Sequence, residues 1–141
     1  MKRMTRWSIA ALYLLTISSA FAQTDLRDLA ERFVKAEEQA WLEGRFEALE
    51  AVEDAYVVYH GYPINSFADH KQFIIESRKT ITNPKMSMEY LTGDGNLFAI
   101  DYNASVTMNG QPVTTKALML FRVSNGKIAE VWLGLSTNAP Q

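Results

Sequence analysis

The chain has no cysteine among its 141 residues. That excludes disulfides, thiolate metal sites, cysteine nucleophiles and thiol redox chemistry, so the fold must be held by its core. Histidine is nearly as scarce. His60 and His70 stand ten residues apart and outside any H-x-x-x-H or H-E-x-x-H pattern, so the spacing indicates no metal site. Basic clusters are missing as well, and the formal net charge is −2. An acidic balance without a basic patch argues against nucleic acid and anionic membranes as partners. Long apolar runs are confined to one place, Trp7 to Ile17, which is too short to span a bilayer and has no stop-transfer flank.

That run has a meaning of its own. Lys2, Arg3 and Arg6 precede it, and small residues ending in Ala20-Phe21-Ala22 follow. A basic, apolar, A-x-A series reads as a cleaved export signal over residues 1–22, leaving one domain over 23–141 in the periplasm or outside the cell. No cysteine follows the cut, so no lipid anchor is expected and nothing holds the mature chain to a membrane. The 22 residues carry three of the 14 Lys+Arg and none of the 16 Asp+Glu, so the mature charge falls to −5.

With 48% hydrophobic residues, the remaining chain can bury one ordinary core. Its first half reads helical. Thr24 or Asp25 can cap a helix whose face is Leu26, Leu29, Ala30, Phe33, Ala36, Ala40 and Trp41, with Gly44 as the left-handed stop. A short helix over 46–52 follows, then a strand over 55–62 interrupted by Pro63. Asp69 with Gln72 reads as a capping box that opens a third helix towards Ile81, and Asn83-Pro84 reads as its end.

From Lys85 onward the pattern is strand and turn. Phe98, Ile100, Tyr102, Ala104, Val106 and Met108 alternate with polar residues, and Asn109-Gly110 and Asn125-Gly126 are hairpin turns. Consecutive antiparallel strands are therefore expected at 97–108, 113–124 and 127–136. Strands of this length twist and bend their sheet. The expected fold is α+β, a strongly curved antiparallel sheet whose concave face is covered by three helices from the N-terminal half.

Few residues offer chemistry. His60, set in a strand beside Tyr59 and Tyr62, is an available acid or base near neutral pH, or equally a hydrogen-bonded histidine at a sheet edge. Asp101 interrupts the longest strand as a candidate carboxylate, or as a residue of a solvated face. Trp41, Tyr90, Tyr102 and Trp132 could line an aromatic pocket or simply fill the core. Gly93-Asp94-Gly95 lacks the third glycine of a dinucleotide fingerprint, and neither G-x-S-x-G nor a phosphate-binding loop occurs.

Three phrases carry a resemblance. They are Ala40-Trp41-Leu42-Glu43-Gly44-Arg45-Phe46-Glu47-Ala48-Leu49, Val57-Val58-Tyr59-His60-Gly61, and Leu120-Phe121-Arg122-Val123 through Gly126-Lys127-Ile128 to Glu130-Val131-Trp132. In this order and spacing the chain resembles the polyketide-cyclase-like (SnoaL-like) branch of the nuclear-transport-factor-2-like superfamily over about residues 27–137. The resemblance implies a cone-shaped fold with a deep apolar pocket, often a homodimer through the outer sheet face. It implies proton-transfer chemistry or plain ligand binding, with neither metal nor organic cofactor.

The chain departs from the cyclases at their working positions. Met119 stands where they carry an acid/base Asp, and Val131 and Leu133 flank Trp132 where they carry His and Asp. The isomerase base lies near Tyr59-His60, where this chain offers an imidazole. The sequence thus leads to an exported pocket protein binding a small apolar molecule through Trp41, Tyr59, His60, Tyr102, Met119 and Trp132. The alternative is a lyase, isomerase or hydrolase that uses His60 with Asp101.

Overall fold

A computed structural model describes residues 8–137, with side chains over 25–134. The basic residues of the expected export signal, Lys2, Arg3 and Arg6, lie outside the described residues. Helix α1 runs Ser8–Glu43, α2 Glu47–Val52 and α3 Phe67–Ser77. The strands are β1 Glu53–His60, β2 Ile81–Asp94, β3 Leu97–Met108, β4 Gln111–Ser124 and β5 Lys127–Thr137. Helix α1 does not begin at Thr24 or Asp25; no glycine or proline between Ser8 and Asp25 interrupts it. No helix among the described residues is long and apolar enough to cross a membrane.

The five strands form one open, curved sheet in the order β1-β5-β4-β3-β2. Strands β2 to β5 are consecutive antiparallel neighbours. Both Asn-Gly turns place two successive residues at positive φ: Asn109 (50°) with Gly110 (81°), and Asn125 (50°) with Gly126 (75°). That is the backbone of the tight hairpin whose twist matches that of its strands. Strand β1 adds itself parallel to β5, so the sheet is mixed at that edge. The intervening helix and hairpins bring the chain back in the same direction, as a parallel partner requires.

The helices cover the concave face. Leu26, Leu29, Ala30, Phe33 and Ala40 of α1 are buried against it, and Phe33 meets Phe121 edge-on at 5.0 Å while Phe98 stacks on Phe121 at 4.5 Å. Gly44, at φ 69°, donates its N–H to the Ala40 carbonyl and ends α1. Arg78 then takes up free carbonyls of that last turn, its Nε 2.9 Å from the Trp41 oxygen.

Two turn assignments shift. Ser66, not Asp69, caps α3: its hydroxyl accepts the Asp69 N–H at 3.1 Å, and the Asp69 carboxylate reaches back to the Asn65 N–H at 3.0 Å. Ser66 and Asp69 thus share the capping in place of Asp69 with Gln72, the Asp69 carboxylate binding the residue before the cap. Asn83-Pro84 does not stop a helix. It lies inside β2, where Asn83 turns to φ 52° and the register with β3 shifts between Thr82 and Lys85. A proline is tolerated there because β2 is an edge strand and the bulge asks for no donor.

Candidate active site

Between the helices and the concave face of the sheet lies a cavity of about 380 Å³. It falls at the small end of the roughly 300–1,000 Å³ usual for ligand pockets. Helix α1 contributes Phe33, Glu37 and Trp41, α3 contributes His70 and Phe73, and the floor is the inner row of β3 and β4, among them Tyr102, Val106 and Met119. The lining is mostly apolar. Met108 and Phe73, each more than a third exposed, stand at its rim.

Glu37 interrupts this apolar wall. It lies four residues after Phe33 and four before Trp41, so the helical period carries a carboxylate onto the buried stripe. Only 6% of it is exposed. Its Oε2 accepts the Trp41 indole N–H at 2.8 Å, and its Oε1 lies 3.2 Å from His70 Nε2. Behind the wall, His70 Nδ1 stands 3.0 and 3.1 Å from the two oxygens of Glu53, which is 1% exposed. The Tyr59 hydroxyl also donates to Glu53 Oε1. Glu53 opens β1, and His70 lies four residues before the buried Ile74 on α3, so both occupy core-facing positions.

An ionised carboxylate only accepts hydrogen bonds, so an imidazole with carboxylates at both nitrogens donates from both. This geometry favours the imidazolium form of His70. Burial opposes that charge, but the charge and hydrogen bond of Glu37, then those of Glu53, outweigh it and push the pKa of His70 up to about 10. Burial raises Glu53 above the ordinary carboxylate range against the pull of His70. Burial, reinforced by nearby carboxylates, holds the Tyr59 and Tyr102 phenols well above 10, so both remain O–H donors.

The three residues offer ligand atoms within 4.8 Å of one another, close enough to consider a metal ion. The same atoms form a hydrogen-bonded chain, with His70 Nε2 on the Glu37 carboxylate and Nδ1 on that of Glu53.

Of the residues singled out from sequence, Trp41, Tyr59, Tyr102 and Met119 line the cavity. His60, Asp101 and Trp132 do not, and one rule accounts for all three. Successive strand residues point to opposite faces, and Tyr59, Tyr102, Val131 and Leu133 take the inner positions beside them. His60 lies on the outer face, its ring stacked on Trp132 at 4.5 Å and its Nε2 3.7 Å from Glu130. Asp101 pairs across the ladder with Leu118, which is 57% exposed. Neither can reach a ligand in the cavity, so an acid–base pair of His60 with Asp101 is not assembled. Glu37, Glu53 and His70 had a signal in the sequence: each is a polar residue at the period of a buried face.

A family model of the SnoaL-like domain matches residues 20–131. The chain belongs to the SnoaL-like family. Similar solved structures include an LEH-like epoxide hydrolase of M. tuberculosis, at 13% identity and TM-score 0.65 over 82% of this chain and 85% of that one. An NTF2-like protein of Anabaena variabilis aligns at 12% identity and TM-score 0.68 over 97% of both chains. A provisionally assigned polyketide cyclase of Bacillus cereus aligns at 21% identity and TM-score 0.66, over 80% of this chain and 75% of that one. At these identities the likeness is one of fold. A search of curated proteins finds no match to this chain.

Proposed function

We propose that this protein is a cofactor-independent acid–base enzyme, a lyase, isomerase or hydrolase, acting on a small and largely apolar organic molecule. The observation that carries the proposal is the Glu37 carboxylate in the wall of an apolar cavity, backed by the buried His70 and Glu53. Each Glu37 oxygen keeps a lone pair beyond those given to Trp41 and His70, so the carboxylate can take a proton from one ligand atom and return it to another. His70 and Glu53 hold it in place. Tyr102, an O–H donor on the floor, is placed to meet an oxygen on which charge develops.

Incubation with β,γ-unsaturated ketones, β-hydroxy ketones and epoxides in heavy-isotope water reads proton exchange and hydration directly. Glu37→Gln is expected to lower turnover by about 10²–10⁴-fold with KM largely kept. Undiminished turnover in Glu37→Gln would overturn the proposal. A second reading, ligand binding without chemistry, draws on the apolar Met119, Val131 and Leu133, which stand where the cyclases carry acid/base groups. It predicts tight binding and no turnover in the same series.

Export belongs to the same proposal and is supported by the Lys2-to-Ala22 series. So does a homodimer over the outer sheet face, supported by the exposed Leu118 and Leu120.

A further inference from the structure

Aromatic rings dominate the α1–α3 side of the cavity, and their arrangement is specific. Trp41 meets Phe73 at 6.2 Å and 82°, and Tyr62 meets Phe73 at 6.3 Å and 78°. All three rings line the cavity, and Phe73, in edge-on contact with both of the others, joins them into one aromatic corner of its wall. A ring face is the negative pole of an aromatic quadrupole and attracts a cation. Trp41 is further enriched, because its indole N–H donates to the Glu37 carboxylate at 2.8 Å and pushes electron density back into the ring.

The charge around the cavity points the same way. Among the described residues no Lys or Arg lines it, and the charged groups of its wall are Glu37 and His70, with the Glu53 carboxylate behind them. Glu38, whose carboxylate accepts the Met86 N–H at 2.7 Å, adds a further negative charge beside the lining residue Met86. An anionic ligand would meet the Glu37 carboxylate, and the one cation in the wall, His70, already has a carboxylate at each nitrogen. A neutral ligand would leave the field unused.

We propose that the cavity takes a small organic cation, a protonated or quaternary amine, with its nitrogen in the Trp41–Phe73–Tyr62 corner and its carbon skeleton along Tyr102 and Met119. This rests on the reading of the cavity as a ligand site and gives that site its substrate class.

Calorimetric titration of the full domain with phenyltrimethylammonium, its neutral carbon isostere tert-butylbenzene, and benzoate tests the inference without any turnover. The cation is expected to bind at least about tenfold more tightly than tert-butylbenzene, and benzoate most weakly of the three. Trp41→Leu and Phe73→Leu are each expected to remove that preference while tert-butylbenzene binding survives. Equal or tighter binding of the neutral isostere to the unaltered protein would overturn the cation class and leave the cavity a ligand site. If none of the three binds, both this inference and the ligand-site reading fall.

Discussion

His70→Ala is expected to destabilise the fold by about 3–5 kcal/mol, the usual loss when one partner of a buried charged set is removed. The His70 side chain is 5% exposed and separates two carboxylates that are themselves buried. Without it, Glu37 and Glu53 face each other across an empty space with no cation between them, and one must take up a proton or draw in water. Urea denaturation at pH 7 measures the loss as a shifted midpoint. Adding Glu53→Gln to His70→Ala should recover part of it, because the second change removes one of the stranded charges. A loss below about 1 kcal/mol for His70→Ala would show that the set is not a buried charged relay.

Alkaline pH should act on the same group. The folded-state pKa of His70, about 10, lies above its ordinary 6.5. A group whose pKa rises on folding contributes stability that is complete below the unfolded value and is lost as pH climbs through the folded one. The contribution of His70 is therefore whole below pH 6.5 and gone above about pH 10, a fall on the order of 5 kcal/mol. Glu53, raised by burial from 4.5, has the same sign, and its contribution starts to be lost as pH rises above that value. Tyr59 and Tyr102 are held well above 10, so their losses begin only beyond this window. Unfolding free energies at pH 6, 8 and 10 should fall steadily in the unaltered protein. A level profile in the unaltered protein would contradict the charged imidazole.

The strands were readable because their signals are local. Phe98 to Met108 alternate over a full strand, and each Asn-Gly pair fixes its own hairpin. The parallel seat of β1 beside β5 was not, since pairing between segments some seventy residues apart leaves no local trace. Ser66 was passed over for Asp69 because both can cap and lie within one turn of each other.

The site was half visible for a related reason. Aromatic residues such as Trp41, Tyr59 and Tyr102 announce a pocket, and they line it. His60 drew attention by its aromatic neighbours, but a shift of one residue along a strand changes the face, and Tyr59 holds the inner position. The polar residues that do matter are hidden among apolar ones. Glu37 falls inside the buried stripe of α1, and nothing in a run of charged residues distinguishes it from Glu38 except the period of the helix.

The direct test of the account is 15N NMR of the histidine side chains, which reports the proton on each ring nitrogen. Both nitrogens of His70 should show the protonated form from pH 6.5 to 9, with loss of the proton near pH 10. The His70 signals should also move when phenyltrimethylammonium fills the cavity, while those of His60 on the outer face do not. A neutral His70 at pH 7, or ligand-induced shifts confined to His60, would contradict the account.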